Sequence, residues 1–464
     1  MQETSTRRTF LKTAAAVATT SALHRLNAAT GSPNSKLQHA CIGVGGMGGL
    51  DYKNFLEHPK VEVVALCDVD AHNLAKAARK RPDARTYTDW RELLAKEGDR
   101  IDSINVSVPD HMHASITVRA LRAGKHVYCQ KPLCHDVAEC RTVTEETAKA
   151  KTITQLGTQY SSGIGDRTAV EILNKGVIGK VKRVILSANR PGAIERYRLK
   201  GPRPAKGMPV PAHLDWDRWL GTAPKREYAE GVDKGIYHPK LWRSWQDFGT
   251  GWSGDMGCHL FDSVWKALAL TSPRTVQAEV QGSWKTDPDR RRENWPQSNH
   301  ITWVFPGTDR TAGDELVVEW FDGWFHAPAS VQTLHTTEDV YPGEAAMFIG
   351  TEGNLLLPHR EGPQLYPLNK FKDYPLPELS PRNHYHHFVD ACLGGEMCGS
   401  PFGVAAPMTE AILLGTVAIR VPDTELDWDA GNMKIPGHAA AEQYLQRSYR
   451  DGWQVRGLCR NGSA

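Results

Sequence analysis

Three side chains carry the chemistry needed to move a proton and a hydride at one carbon atom. Asp255 and His259 stand four residues apart in Gly254-Asp255-Met256-Gly257-Cys258-His259-Leu260-Phe261-Asp262, and Asp262 follows three later, so a helix here presents all three on one face. A carboxylate beside an imidazole orients the ring and favours its charged form. A histidine so held can take an alcohol proton while hydride leaves the same carbon. Lys131 is the third group. It follows the apolar run His126–Cys129 and precedes Pro132, which biases it away from helix. A lysine at the edge of a dinucleotide-binding sheet can donate to a substrate oxygen. Each group also has an ordinary reading: a satisfied histidine near a helix start, and a solvated lysine at a strand end.

The elements that must position these groups begin at Ala40-Cys41-Ile42-Gly43-Val44-Gly45-Gly46-Met47-Gly48-Gly49. Gly43, Gly45 and Gly48 form G-x-G-x-x-G after an apolar run, and Val61–Cys67 ends at Asp68, twenty residues past Gly48. This order predicts a βαβ unit that holds a dinucleotide. The glycines allow a tight turn and close approach to a pyrophosphate, the helix N-terminus faces the phosphates, and Asp68 accepts from the adenosine ribose hydroxyls. A carboxylate there favours NAD over NADP, whose 2′-phosphate it would repel.

Short apolar runs alternate with amphipathic stretches from residue 36 to 160, which predicts a doubly wound parallel Rossmann sheet. Ligands bind beyond the carboxyl ends of such strands. The predicted cofactor contacts are Gly43, Gly45, Gly46, Met47, Gly48, Asp68, Pro109, His111, His113, Gln130, Lys131 and Gln159. Residues 161–380 read as an α/β domain with a large open, mostly antiparallel sheet, for substrate and oligomer contacts. It contains a long excursion with Trp216, Trp219, Trp242, Trp245 and Trp252. Helices over 381–425 return to the first domain, and 426–464 read as a polar surface tail.

Composition is ordinary: 464 residues, 40% hydrophobic, 23% charged, net charge +3. With no long basic run and no aromatic–basic interleaving, nucleic acid is not an expected partner. The 14 Trp could stack on sugars, but most are expected in the core. The nine cysteines show no zinc spacing, and Cys41, Cys67 and Cys129 fall in strands as small hydrophobes. His384, His386 and His387 cluster at what reads as a helix start, and no metal is expected. Thr6-Arg7-Arg8-Thr9-Phe10-Leu11-Lys12 matches a twin-arginine export signal. The weakly apolar Ala14–Leu23 after it is too short and polar to span a membrane. Residues 1–30 are therefore set apart as a signal peptide. A periplasmic location follows as the expectation, without stable membrane insertion.

In combination these motifs resemble the Gfo/Idh/MocA oxidoreductases, in the exported branch. The resemblance rests on the glycine stretch, Asp68, Pro109-Asp110-His111-Met112-His113, Gly124-Lys125-His126-Val127-Tyr128-Cys129-Gln130-Lys131-Pro132-Leu133, and Gly254–His259. It covers roughly residues 36–425. It implies homodimers or homotetramers built on the second sheet. It also implies hydride transfer between a sugar or polyol carbinol carbon and a tightly bound nicotinamide. The family's catalytic lysine falls on Lys131, its acid and histidine on Asp255 and His259. Tyr160, Arg190, Trp242, Arg243 and His259 are the expected substrate contacts. The family's glutamate before the lysine is Gln130 here, so altered cofactor contacts are expected. Two other readings stand beside this one. The first is a redox-neutral NAD-dependent glycosidase working by transient oxidation at C3 and elimination. The second is a non-catalytic Rossmann binding protein.

Overall fold

The computed structural model describes residues 36–190, 206–229, 236–335 and 340–461. The expected export signal lies outside them. Six parallel strands form the first sheet in the order β3-β2-β1-β4-β5-β6. They are β1 (Leu37–Ile42), β2 (Val61–Cys67), β3 (Arg85–Tyr87), β4 (Ser103–Val106), β5 (His126–Cys129) and β6 (Thr154–Leu156). Their helices are α1 (Gly46–Leu56), α2 (Ala71–Ala78), α3 (Trp90–Glu97), α4 (His113–Arg122) and α5 (Val137–Ala150). The central strands are buried along their length, as parallel strands covered on both faces must be. Strand order reverses between β1 and β4, where a ligand crevice opens at the carboxyl ends. Asp70 caps α2 by accepting from the His72 and Asn73 N–H groups, and Asp136 caps α5 through Glu139 N–H. β3 and α3 were not expected. Arg85-Thr86-Tyr87 is a short edge strand with little buried apolar surface, so it carries no hydrophobic pattern to read.

α6 (Ile164–Asn174) leads to the second sheet, of order β13-β12-β11-β7-β10-β9-β8-β14. Its strands are β7 (Val181–Ala188), β8 (Thr275–Val280), β9 (Asn299–Pro306), β10 (Glu315–Asp322), β11 (Glu344–Gly350), β12 (Asn354–Pro358), β13 (Gln364–Tyr366) and β14 (Leu426–Asp427). Only β7 and β10 pair in parallel; the other pairs are antiparallel. α7 (Gly251–Leu268), α8 (His384–Cys392) and α9 (Phe402–Arg420) complete the longer helices among the described residues. α9 packs on α5, α7 and β8, and so joins the two sheets. It is long and apolar enough to cross a membrane, yet 83% of its apolar window is buried in the protein, as befits a core helix.

The last segment does not behave as a surface tail. Leu426 pairs with Val276, and Trp428, Tyr449, Trp453 and Leu458 are buried. Arg447 donates to Glu139 Oε1 (2.8 Å), and Tyr449 OH donates to the same oxygen (2.6 Å). The polar side chains that made the segment look solvated instead satisfy a buried carboxylate on α5. The excursion's tryptophans are also core. Trp216, Trp219, Trp242 and Trp245 form their own cluster with Tyr237 and Phe248, while Trp252 joins the main core.

Candidate active site

The turn after β1 is shaped for close approach. Gly43 has φ 82°, and a Cβ on it would lie 2.3 Å from the Ser107 carbonyl oxygen. A Cβ on Gly48 would lie 2.2 Å from the Gly43 carbonyl oxygen, so only glycine lets α1 pack there. Gly45 caps α1 without a side-chain bond, and Gly46 and Met47 are exposed in its first turn. Unsatisfied N–H groups at a helix start suit an anion. Asp68, at the end of β2, accepts from Val44 N–H and Asp70 N–H, both at 2.9 Å. Burial raises its carboxyl, and those two N–H groups oppose the rise. The donor set fits a dinucleotide: a glycine-lined turn for the pyrophosphate and a fixed carboxylate for the ribose.

Beyond β5, Lys131 Nζ donates to both the side chain (Oδ1) and the carbonyl oxygen of Asp255, each at 2.7 Å. Arg243 Nε donates to the same Oδ1 at 3.3 Å, and its guanidinium lies 4.1 Å from the centre of the Trp242 ring. Burial alone would raise the Asp255 carboxyl, but Lys131 and Arg243 hold it well below the usual carboxylate range. α7 is buried on nearly all sides, so it has no solvated face on which these groups could be idle.

His259, one turn along α7, differs from the expectation. Its Nδ1 is buried without a hydrogen-bond partner. Burial, Lys131 and His359 hold its pKa well below the ordinary histidine value, and Asp255 opposes them too weakly. The carboxylate expected to favour charged His259 is engaged by two cations instead. His259 is therefore neutral, the form a base requires. Asp262 belongs elsewhere, accepting from Lys266 Nζ (2.6 Å) and Ser400 Oγ (3.2 Å). His259 lines a tight recess with Asp166, Ser263, Ala346 and His359.

The Tyr160 ring lies 6.1 Å from that of His259 and 4.7 Å from that of His359. Arg190 pairs with Glu344 at 3.3 Å and sits 5.5 Å from the Trp252 ring. Trp242 is buried and carries Arg243 on its face, so it positions Arg243 rather than standing open as a sugar platform.

The remaining expected cofactor contacts divide. Pro109 opens the short turn after β4. His111 Nε2 donates to the Trp219 carbonyl (3.2 Å), and its ring packs against Phe248. His113 faces the Pro132 and Val108 carbonyls at 2.6 and 2.8 Å. Burial would lower its pKa, but Cys129 and the two carbonyls together raise it. Both rings are engaged by the protein: His113 ties the 109–113 turn to Pro132, and His111 ties it to Trp219 and Phe248. Gln130 Nε2 donates to both oxygens of Asp51 at 2.9 Å. Ser107 Oγ (2.6 Å) and Tyr385 OH (2.8 Å) also donate to Asp51, which burial pushes up to about 6. A glutamate at 130 would set two carboxylates against each other here, so Asp51 explains the glutamine. Gln159 Nε2 donates to the Tyr128 and Tyr385 hydroxyls at 3.3 and 3.2 Å, extending the same network.

Sequence reasoning passed over Asp110, Asp51, His359 and Arg360. Asp110 accepts from Thr250 N–H (3.2 Å) and Oγ1 (3.0 Å), and burial pushes it up to about 7. Its signal was present, since it lies in the turn after β4. His359 and Arg360 follow a strand of the second sheet, and no spacing links them to α7. His384, His386 and His387 do not converge: His384 bonds Ser162 and the Leu156 carbonyl, while His386 faces His58. Among the described residues, Asp70, His72 and His213 do have ligand-type atoms within 4.8 Å of one another. There Asp70 already accepts from His213 (3.1 Å) and His238 (3.0 Å).

Comparison with known proteins agrees with this architecture. Residues 37–158 match the NAD-binding Rossmann fold of the GFO_IDH_MocA oxidoreductase family, and residues 165–292 match that family's C-terminal alpha/beta domain. The chain is 33% identical over 166 residues to inositol 2-dehydrogenase of Gluconacetobacter diazotrophicus, covering 34% of this chain and 46% of that one. It thus spans less than half the length of this curated relative. Among solved structures, the WlbA dehydrogenase from Chromobactrium violaceum, in complex with NADH and UDP-GlcNAcA, superposes with TM-score 0.58 at 13% identity, over 86% of this chain and 98% of that one. An inositol dehydrogenase homolog from Azotobacter vinelandii, complexed with NADH and myo-inositol, gives TM-score 0.54 at 15% identity, over 85% and 98%. These two likenesses concern the fold. The two matched domains together span more than half of the chain, and the protein belongs to the Gfo/Idh/MocA oxidoreductase family.

Proposed function

We propose that the protein is an NAD-dependent carbohydrate oxidoreductase, moving hydride between a carbinol carbon of a sugar or polyol and a nicotinamide. The observation that carries this reading is the Lys131–Asp255–His259 group beyond β5, in a sheet whose first turn is a glycine-lined phosphate cradle. When bound, the cofactor accepts or returns the hydride. The chain's own residues do the rest. Lys131, held by Asp255, donates to the reacting oxygen and stabilises negative charge there. Neutral His259 takes the hydroxyl proton and gives it back in the reverse direction. Asp255 and Arg243 fix the lysine, which reduces the cost of orienting it during reaction. The relatives named for inositol oxidation, and the fold's kinship to sugar-handling dehydrogenases, support a carbohydrate or polyol substrate.

The Arg7-Arg8 motif supports export to the periplasm, where a cofactor loaded before transport would have to be retained and regenerated in place. The broad second sheet supports a homodimer or homotetramer, and Trp324, 70% exposed just past β10, is a candidate contact.

Direct titration tests the cofactor assignment. NADH added to nucleotide-free protein, read as energy transfer from tryptophan, is expected to saturate at one per chain. NADPH is expected to bind about tenfold more weakly or worse, a difference of about 1.4 kcal/mol, because its 2′-phosphate would face Asp68. Tighter binding of NADPH would overturn the NAD preference. Failure of both to saturate would overturn the site.

A further inference from the structure

We infer that the substrate cleft recognises an anionic group on the sugar through Arg360. This rests on the proposed carbohydrate site and names the charge class of its substrate.

The first observation is conformational. The chain turns sharply after β12, and Glu361 N–H donates to the Pro358 carbonyl at 3.1 Å. Arg360 occupies the third position of that turn with φ 78°. Turn chemistry favours glycine or asparagine at such a position, and an L side chain there is strained. Arg360 is exposed and directly follows His359, which lines the recess beside His259, and a strained residue so placed points to a role for its side chain.

The second observation is charge accounting around the cleft. Lys131 and Arg243 share the single carboxylate of Asp255, and Arg190 pairs with Glu344. Arg360 has no acidic partner among the described residues. Its guanidinium instead lies 5.0 Å from the centre of the Tyr160 ring. Tyr160 in turn abuts His259 and His359. The Tyr160 ring thus has both the Arg360 guanidinium and the His259 ring as neighbours.

The third observation is the state of His359. Burial, Arg360 and Arg190 hold it down to about 4, so at neutral pH it is an uncharged hydrogen-bond group next to a free guanidinium. Arg360 supplies the charge, and neutral His359 can donate one hydrogen bond to the same group. Either a carboxylate, as on a hexuronic acid, or a phosphate ester meets that description. Arginine's planar fork suits both.

The test uses full-length protein saturated with NADH. Calorimetric titrations compare glucuronate with glucose, galacturonate with galactose, and glucose 6-phosphate with glucose. The expected result is at least tenfold tighter binding of one anionic class than of its neutral counterpart. Arg360→Gln should abolish that preference and leave neutral-sugar binding unchanged, and Arg360→Lys should restore part of it. A preference confined to the hexuronates assigns the carboxylate, and one confined to the sugar phosphate assigns the ester. Equal binding of neutral and anionic sugars, or a preference that survives Arg360→Gln, would overturn the inference and leave the carbohydrate site standing. Failure of every sugar to bind the NADH complex would overturn the carbohydrate reading itself, and this inference with it.

Discussion

Lys131→Ala is expected to lower kcat/KM by about 10²- to 10³-fold, the loss found when one preorganised donor to a reacting oxygen is removed. Loss should fall mainly on kcat, because the donor matters most when charge develops on that oxygen. The variant also has a structural cost. Asp255 has only 9% of its side chain exposed and would keep Arg243 as its cation, at 3.3 Å. Breaking a buried pair by removing one partner costs up to about 3–5 kcal/mol, and the surviving Arg243 contact should hold the cost below that. Lys131→Arg separates the two effects. It keeps the charge beside Asp255 and should restore thermal stability. It cannot put a compact ammonium at the same point, so activity should stay low. Stability and activity returning together would argue that Lys131 is structural only.

His259→Asn is expected to cost about 10²- to 10⁴-fold in turnover, the usual yield of a positioned acid–base group. Its pH profile is the sharper readout. The base must be neutral to accept the alcohol proton, so oxidation fails below its pKa. An ordinary histidine titrates near pH 6.5. Burial and Lys131 hold His259 well below that, so the acid limb of the wild-type kcat/KM profile should lie below that of an ordinary histidine. In Lys131→Ala one of the cations holding it down is gone. The limb should then move upward, toward neutrality, in whatever activity remains. A wild-type limb at or above pH 6.5 would contradict the assignment of His259 as the base in this environment.

Much of this site was legible in the sequence because parallel sheets gather function at one edge. The glycine spacing, Asp68 and the turns after β4 and β5 were enough to collect Lys131 and Gln130 there, though not Asp110. Helical spacing placed Asp255 and His259 on one element. Spacing could not tell which partner Asp255 would choose. The same periodicity that suggested an Asp255–His259 pair is satisfied by Asp255 reaching across to Lys131, 124 residues earlier. It also could not tell that Asp262 would turn to Lys266 and Ser400. Asp51 was hidden because an acid within a Rossmann helix reads as a solvated residue, although here it is completely buried. His359 and Arg360 were hidden because they come from the second sheet, and only the fold brings them to Tyr160. The final segment was misread for a related reason: its arginine and tyrosine serve a carboxylate on α5 that sequence order does not connect to them.

The central claim is that a hydride leaves a sugar carbon at Lys131 and His259 and is carried by the nicotinamide. Isotope tracing tests it most directly. Sugars deuterated at their carbinol carbons are incubated with the protein and NAD, and the nucleotide and sugar are then recovered and analysed by mass spectrometry. The account predicts deuterium on the reduced nicotinamide in the wild type and little or none in Lys131→Ala and His259→Asn. Label that returns to the carbon of a cleaved sugar would mark the redox-neutral glycosidase on the same site. A consumed or cleaved sugar with no deuterium ever reaching the nicotinamide would contradict the account.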